Sequence, residues 1–166
     1  MVLTSLHLAL LLSILLCSLV AGLLFAFAVV VMPGIAKLPD KEFLSSFKYM
    51  DRIIQDDQPL FILVWAGSII SVISTLILGT LNLNGTGLYL LWVASILYLF
   101  GVQLPTFRFN IPLNNLLQNM DVEASGESEL SSFRDDFEKP WNRWNRLRTI
   151  NCVLSVSILL ILLIQL

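Results

Sequence analysis

The stretch LFILVWAGSIISVISTLILGTL, Leu60 to Leu81, contains no Asp, Glu, Lys, Arg or His. A helix rises 1.5 Å per residue, so about 20 apolar residues cross the ~30 Å hydrocarbon layer of a bilayer. This run is therefore read as a membrane-spanning helix. Three more runs read the same way, at about Val2–Met32, Leu88–Phe107 and Leu147–Leu166. The first exceeds the required length and is expected to tilt or protrude. It lacks a basic start and is about twice as long as the apolar core of a secretion signal, so it is read as a retained helix.

Composition agrees with a lipid solvent. The chain of 166 residues is 57% hydrophobic and 13% charged, with a mean hydropathy of +0.82. Soluble domains hold about 45–50% apolar and about 25% charged residues. The net charge of −2 singles out no partner, and the absence of a basic block argues against nucleic acid. The expected architecture is all-α: one domain over residues 1–166, an integral membrane four-helix bundle.

The link that follows Leu81, NLNGTG (Asn82–Gly87), is short and uncharged, and its Asn-Gly reads as a tight turn. Every charged residue instead falls between Lys37 and Asp57 or between Arg108 and Arg148. Four spans put these two loops, 33–59 and 108–146, on one side of the membrane. The positive-inside rule places them in the cytoplasm and both termini on the outer side of a plasma or inner membrane.

The loops carry structure of their own. In DKEFLSSFKYMDRIIQ (Asp40–Gln55), Phe43, Phe47, Met50 and Ile54 recur at helical spacing. This predicts an amphipathic helix between spans 1 and 2, N-capped by Asp40, lying in the interface with Lys41, Lys48 and Arg52 at the headgroups, or serving as a lid over a cavity. NMDVEASGESELSS (Asn119–Ser132) has too little apolar surface to order itself. Phe133, Phe137, Trp141 and Trp144 then predict a helix that begins before the bilayer and feeds the fourth span, with Pro140 kinking or starting it.

Small residues suggest how the spans meet. Gly67, Ser71, Thr75 and Gly79 recur every four residues in span 2, as do Ser18, Gly22 and Ala26 in span 1. Such stripes permit close helix approach inside one bundle, or between copies in a homo-oligomer. Cys17 and Cys152 read as small packing residues rather than a disulfide, and no Cys/His spacing suggests a metal site.

Polar residues gather at the charged face. In GVQLPTFRFNIPLNNLL (Gly101–Leu117), Pro105 cannot donate to the Gly101 carbonyl, and Gln103 and Arg108 stand on either side of it. Asn110 and Asn114 follow. In EKPWNRWNRLRTINC (Glu138–Cys152), Asn145 and Arg148 are three apart and can face one point. Trp141 and Trp144 read either as an interfacial aromatic belt or as the walls of a flat apolar slot, and Arg143 and Arg146 as contacts to lipid phosphates. Asn145, Arg148, Asn110 and Asn114 together make a candidate donor cluster for an oxyanion or enolate. Trp141, Trp144, Arg108 and Gln103 are the candidate substrate-binding set. Asp56 and Asp57 are the nearest possible bases, though an N-cap role suits them better. His7, the only histidine, lies far from this face and reads as an interfacial polar group; no second ligand for a haem is visible.

The segments AGLLFAFAVVVMPGIAKLP (Ala21–Pro39), FNIPLNNLL (Phe109–Leu117) and WNRWNRLRT (Trp141–Thr149) resemble the DUF1772 family of four-span membrane proteins, which includes the anthrone oxygenases. The resemblance covers nearly the whole chain. Its most specific parts are Asn110-x-Pro112-x-Asn114 and the Trp141 to Arg148 motif. It implies oxidation of a hydrophobic aromatic or quinone-like molecule by O₂ with no cofactor. Read from residues alone, a non-catalytic binder of lipid, quinone or haem and an assembly subunit of a membrane complex stay open. There is no P-loop, GxGxxG, HExxH or GxSxG, and no intramembrane acid of the kind proton-coupled transporters use.

Overall fold

The computed structural model describes residues 4–166 and is 89% helical, with no strand among them. Five helices follow one another: α1 (Ser5–Ile35), α2 (Asp40–Gln55), α3 (Pro59–Asn82), α4 (Gly85–Asn119) and α5 (Glu127–Gln165). All but α2 are long and apolar enough to cross a membrane, which makes the chain an integral membrane protein. The expected start of span 1 at Val2 lies outside the described residues.

Helix ends follow local chemistry. Thr4 and His7 form a reciprocal capping box on α1, so the lone histidine is used at a helix start. Only Leu83 and Asn84 separate α3 from α4, and Gly85 takes a positive φ of 53° that a side chain would strain. Two expected caps are corrected. Pro39, not Asp40, caps α2, because Asp40 is already helical and its carboxylate pairs with Arg134. Gln58, not Asp56 or Asp57, caps α3 by accepting from the Phe61 amide at 2.6 Å.

α1 packs along α3 and α5, α4 packs along α5, and α3 meets α4. The span 2 stripe is used as expected: Ser71, Thr75 and Gly79 are buried, and Thr75 bonds Ser13 of α1 at 2.9 Å. The span 1 stripe is not. Ser18 and Gly22 face outward, and the neighbouring set Ser13, Cys17, Ala21 and Leu24 packs instead. Cys17 and Cys152 are free, buried thiols in one cluster with Val72 and Tyr98.

The stretch 108–146 is mostly helix. α4 continues to Asn119 and α5 begins at Glu127, leaving Met120–Gly126 as the connection. This corrects the expectation that Asn119–Ser132 does not order. Val122 is buried, and the Asp121 carboxylate accepts from the Glu123 and Ala124 amides. As expected, α5 begins before the fourth apolar run and feeds it; Pro140 lies inside this helix and does not mark its start. At 1.5 Å per residue its 39 residues reach about 58 Å, well past a ~30 Å hydrocarbon layer.

At this charged end α2 folds back on α4 and α5. Its Phe43, Leu44 and Phe47 are buried with Met32, Leu117, Phe137 and Trp141. Each such side chain contributes about 1.5–3 kcal/mol by leaving water. Arg134 of α5 clamps the chain where α1 ends, donating to the carbonyls of Ala36 and Leu38 and to Asp40 and Glu138, all at 2.8–2.9 Å. α2 thereby becomes a fixed roof over the space between the spans.

Candidate functional site

Under that roof lies a cavity of about 370 Å³, inside the range of about 300–1,000 Å³ usual for small-molecule sites. Leu19, Leu23 and Phe27 of α1, Phe47 of α2 and Phe61 and Trp65 of α3 contribute apolar wall. The Trp65 ring lies 5.2 Å from that of Phe107, bridging α3 and α4 beside the cavity.

Six of the eight residues singled out from sequence line it: Gln103, Asn110, Asn114, Trp141, Asn145 and Arg148. On α5 the spacings of four and three bring Trp141, Asn145 and Arg148 to one face. α4 reaches the cavity through two π-helical segments, Leu99–Gln103 and Thr106–Asn110, with Pro105 between them. Gln103, Thr106 and Asn110, at i, i+3 and i+7, share the side of α4 that lines the cavity. Segments of π-helix are common at functional sites.

Arg148 is the centre of the polar wall. It is 6% exposed, and among the described residues no carboxylate pairs with it. Its Nη1 donates to Thr106 Oγ1 and its Nη2 to Asn145 Oδ1, each at 3.0 Å. The guanidinium carbon lies 6.0 Å from the centre of the Trp141 ring. Asn145 is fixed from its other side by donating to the Leu24 carbonyl, and Thr106 by donating to the Val102 carbonyl.

A second set of bonds runs from Trp141 toward α2. Trp141 Nε1 donates to Asn114 Oδ1 at 2.8 Å, and Asn114 Nδ2 donates to Asp51 Oδ1 at 2.7 Å. Asp51 Oδ2 accepts from Gln118 and Gln55. Asp51, only 6% exposed, also lines the cavity.

Several buried polar atoms on these walls have no partner among the described residues: Nε2 and Oε1 of Gln103, Oδ1 of Asn110 and Nε of Arg148. A buried polar atom left unpaired costs about 1–3 kcal/mol. Four of them lie on three residues of one cavity, two donors and two acceptors, which a bound polar group or water could satisfy.

A sequence model described as anthrone oxygenase matches residues 50–158, well over half of the chain. The chain belongs to the anthrone oxygenase family, the DUF1772 family. The matched segment holds every polar cavity residue described above, while the first span and the Phe43–Phe47 part of α2 precede it. Comparison with curated proteins and with solved structures returned no match.

The anthrone oxygenase fold here leaves two of the expected residues outside the cavity. Arg108 is exposed, and Trp144 is half-buried and stacked on Phe109, with centroids 3.7 Å apart and planes 5° apart. Arg108 sits over the same Phe109 ring at 5.7 Å. Trp144 falls on the flank of the Trp141–Asn145–Arg148 face, and Phe109 captures it there. Arg143 and Arg146 are exposed, as their surface reading requires. Asp51, Thr106 and Gln118 were not among the candidates. Asp51 did carry a signal: four residues after Phe47 and eight after Phe43, it is a carboxylate on the apolar face of α2.

Proposed function

We propose that the protein binds a planar, hydrophobic aromatic molecule with an acidic hydroxyl or methylene in this cavity and oxidises it with O₂. In the reaction that the family name denotes, the anthrone methylene loses two hydrogens and gains one oxygen atom, and the second oxygen atom leaves as water. Anthrone loses a proton to give an electron-rich anion that can pass electrons to O₂ directly, so the protein's task is to bind, orient and hold that anion. The observation that carries the reading is Arg148: a buried cation without a carboxylate partner, beside an indole ring, in a mostly apolar cavity. Buried charge requires a partner, and an anionic ligand supplies one. Phe27, Phe47 and Trp141 offer flat apolar contact.

No cofactor is required by this chemistry. The cavity wall contains no His, Cys or Met, so a haem there would lack an axial ligand from this chain. A second reading is a non-catalytic site for a membrane quinone or lipid. Leu19, Leu23 and Ile62 favour it, because each lines the cavity and is also exposed on the bundle exterior. Oxygen uptake by purified protein with anthrone decides between them. Uptake above a heat-killed control supports the oxygenase; tight binding of anthrone or quinone without uptake leaves the binder.

The charged end is proposed to face the cytoplasm, on the positive-inside argument. There α2 would lie at the membrane surface, as its exposed Tyr49 and Ile53 suggest. Labelling of single cysteines at exposed Asp56 and Asp136 in intact cells and in opened vesicles tests this: labelling in intact cells reverses the orientation.

A further inference from the structure

We propose that Asp51 is the proton acceptor of this cavity, working with Arg148 as the group that holds the resulting anion. The proposal rests on the reading of the cavity as an anthrone-type site. It names a base that the motifs on α4 and α5 do not contain.

The cavity wall holds two acids, Asp51 and Asp57. Asp57 is exposed, on the left-handed turn after α2, with φ of 59°. Asp51 is buried, and no Lys or Arg among the described residues pairs with it. Its bonds come from three neutral amides on two helices. Oδ2 accepts two of them, while Oδ1 accepts one and keeps a lone pair. A carboxylate fixed on three sides with one oxygen partly free suits a positioned general base.

The bonded chain fixes where that base stands. An indole N–H only donates, so Asn114 must turn its oxygen to Trp141 and its amide nitrogen to Asp51. Trp141 presents its ring toward the Arg148 guanidinium. Asp51 and Arg148 therefore stand at the two ends of one connected wall, Asp51–Asn114–Trp141–Arg148. The step balances without an oxidant. A C–H bond of the substrate methylene breaks, the proton forms an O–H bond on Asp51 Oδ1, and the electron pair enters the ring system. The negative charge that develops on the ring oxygen is held at Arg148.

Anaerobic hydrogen–deuterium exchange at the anthrone methylene, with the detergent-purified full chain in D₂O, tests the step apart from oxidation. The wild type is expected to accelerate exchange above buffer. Asp51→Asn should lower that acceleration at least 100-fold while anthrone affinity changes less than threefold, matching the roughly 10²–10⁴-fold usual for general bases. Wild-type exchange in Asp51→Asn overturns the assignment. If Asp51→Asn does not fold, Asp51→Glu replaces it: the displaced carboxylate should exchange at least tenfold more slowly at unchanged affinity, and undiminished exchange overturns the proposal. Failure of the wild type to bind anthrone at all instead removes the reading on which the proposal rests.

Discussion

Trp141 and Asn114 are locked in a single orientation by one hydrogen bond of 2.8 Å, from the indole Nε1 to the amide oxygen. The bond crosses between two helices and decides which way the Asn114 amide points. Trp141→Phe keeps an aromatic ring against Phe27 and Phe47 but strands that oxygen. The variant is expected to lose about 1–3 kcal/mol of stability. It should also slow exchange at the anthrone methylene, because Asn114 is free to flip away from Asp51. Unfolding in detergent measures the first effect and anaerobic exchange in D₂O the second, and wild-type exchange contradicts the orienting role.

Arg148→Met is expected to separate ligand binding from folding. Removing a buried charge that no carboxylate compensates relieves its desolvation cost, while Asn145 Oδ1 loses its donor at about 1–3 kcal/mol. The two effects oppose, so the unliganded Tm should shift little. The rise in Tm that a bound anionic ligand gives to the wild type should vanish. A fall in the unliganded Tm of several degrees would instead make Arg148 a structural residue.

At Gly101, α4 passes close to Asn151 of α5. A Cβ placed there would lie 2.6 Å from Cγ and 2.9 Å from Cβ of Asn151. The Asn151 side chain cannot swing clear cheaply, since it donates to the Leu147 carbonyl at 2.8 Å. Gly101→Ala should cost about 1–3 kcal/mol, as overpacking does in a tight interior. Gly22→Ala, with nothing within 4 Å of the added carbon, is the matched control and should hold or raise Tm.

Arg134→Lys should fail although it keeps the charge. The guanidinium serves two backbone carbonyls and two carboxylates at once and lies 4.3 Å over the Phe43 ring. A single ammonium cannot reproduce that fork. A loss of about 2–3 kcal/mol is expected. It should be local: amide exchange should quicken in α2 before it quickens in the spans.

The spans were legible because each lies in one unbroken apolar run. The α5 face of Trp141, Asn145 and Arg148 was legible because a single helix carries all three. Asp51 was not, because its meaning depends on α2 folding onto Asn114 and Gln118 of α4, more than sixty positions away. Trp144 and Arg108 lie outside the cavity for a related reason. A residue on the flank of a helical face turns inward or outward according to its neighbour, and here Phe109 draws both. The Ser18–Gly22–Ala26 stripe differs from the packed Cys17–Ala21 set by one position. Composition alone could not choose between them, since α1 is apolar all round and only its partners set its rotation.

The π turns of α4 set a rule for how such a chain tolerates change in length. Each π turn behaves as one residue inserted into a helix without breaking it. Deleting a residue between Thr106 and Asn110 would restore a regular α-helix and swing everything beyond it by about 100°. Asn114 and Gln118 would then leave Asp51, while Gln103 and the whole of span 3 before it stayed in place. A single-codon insertion or deletion inside a span would therefore re-aim this wall in one step, where substitutions alone would have to rebuild it residue by residue.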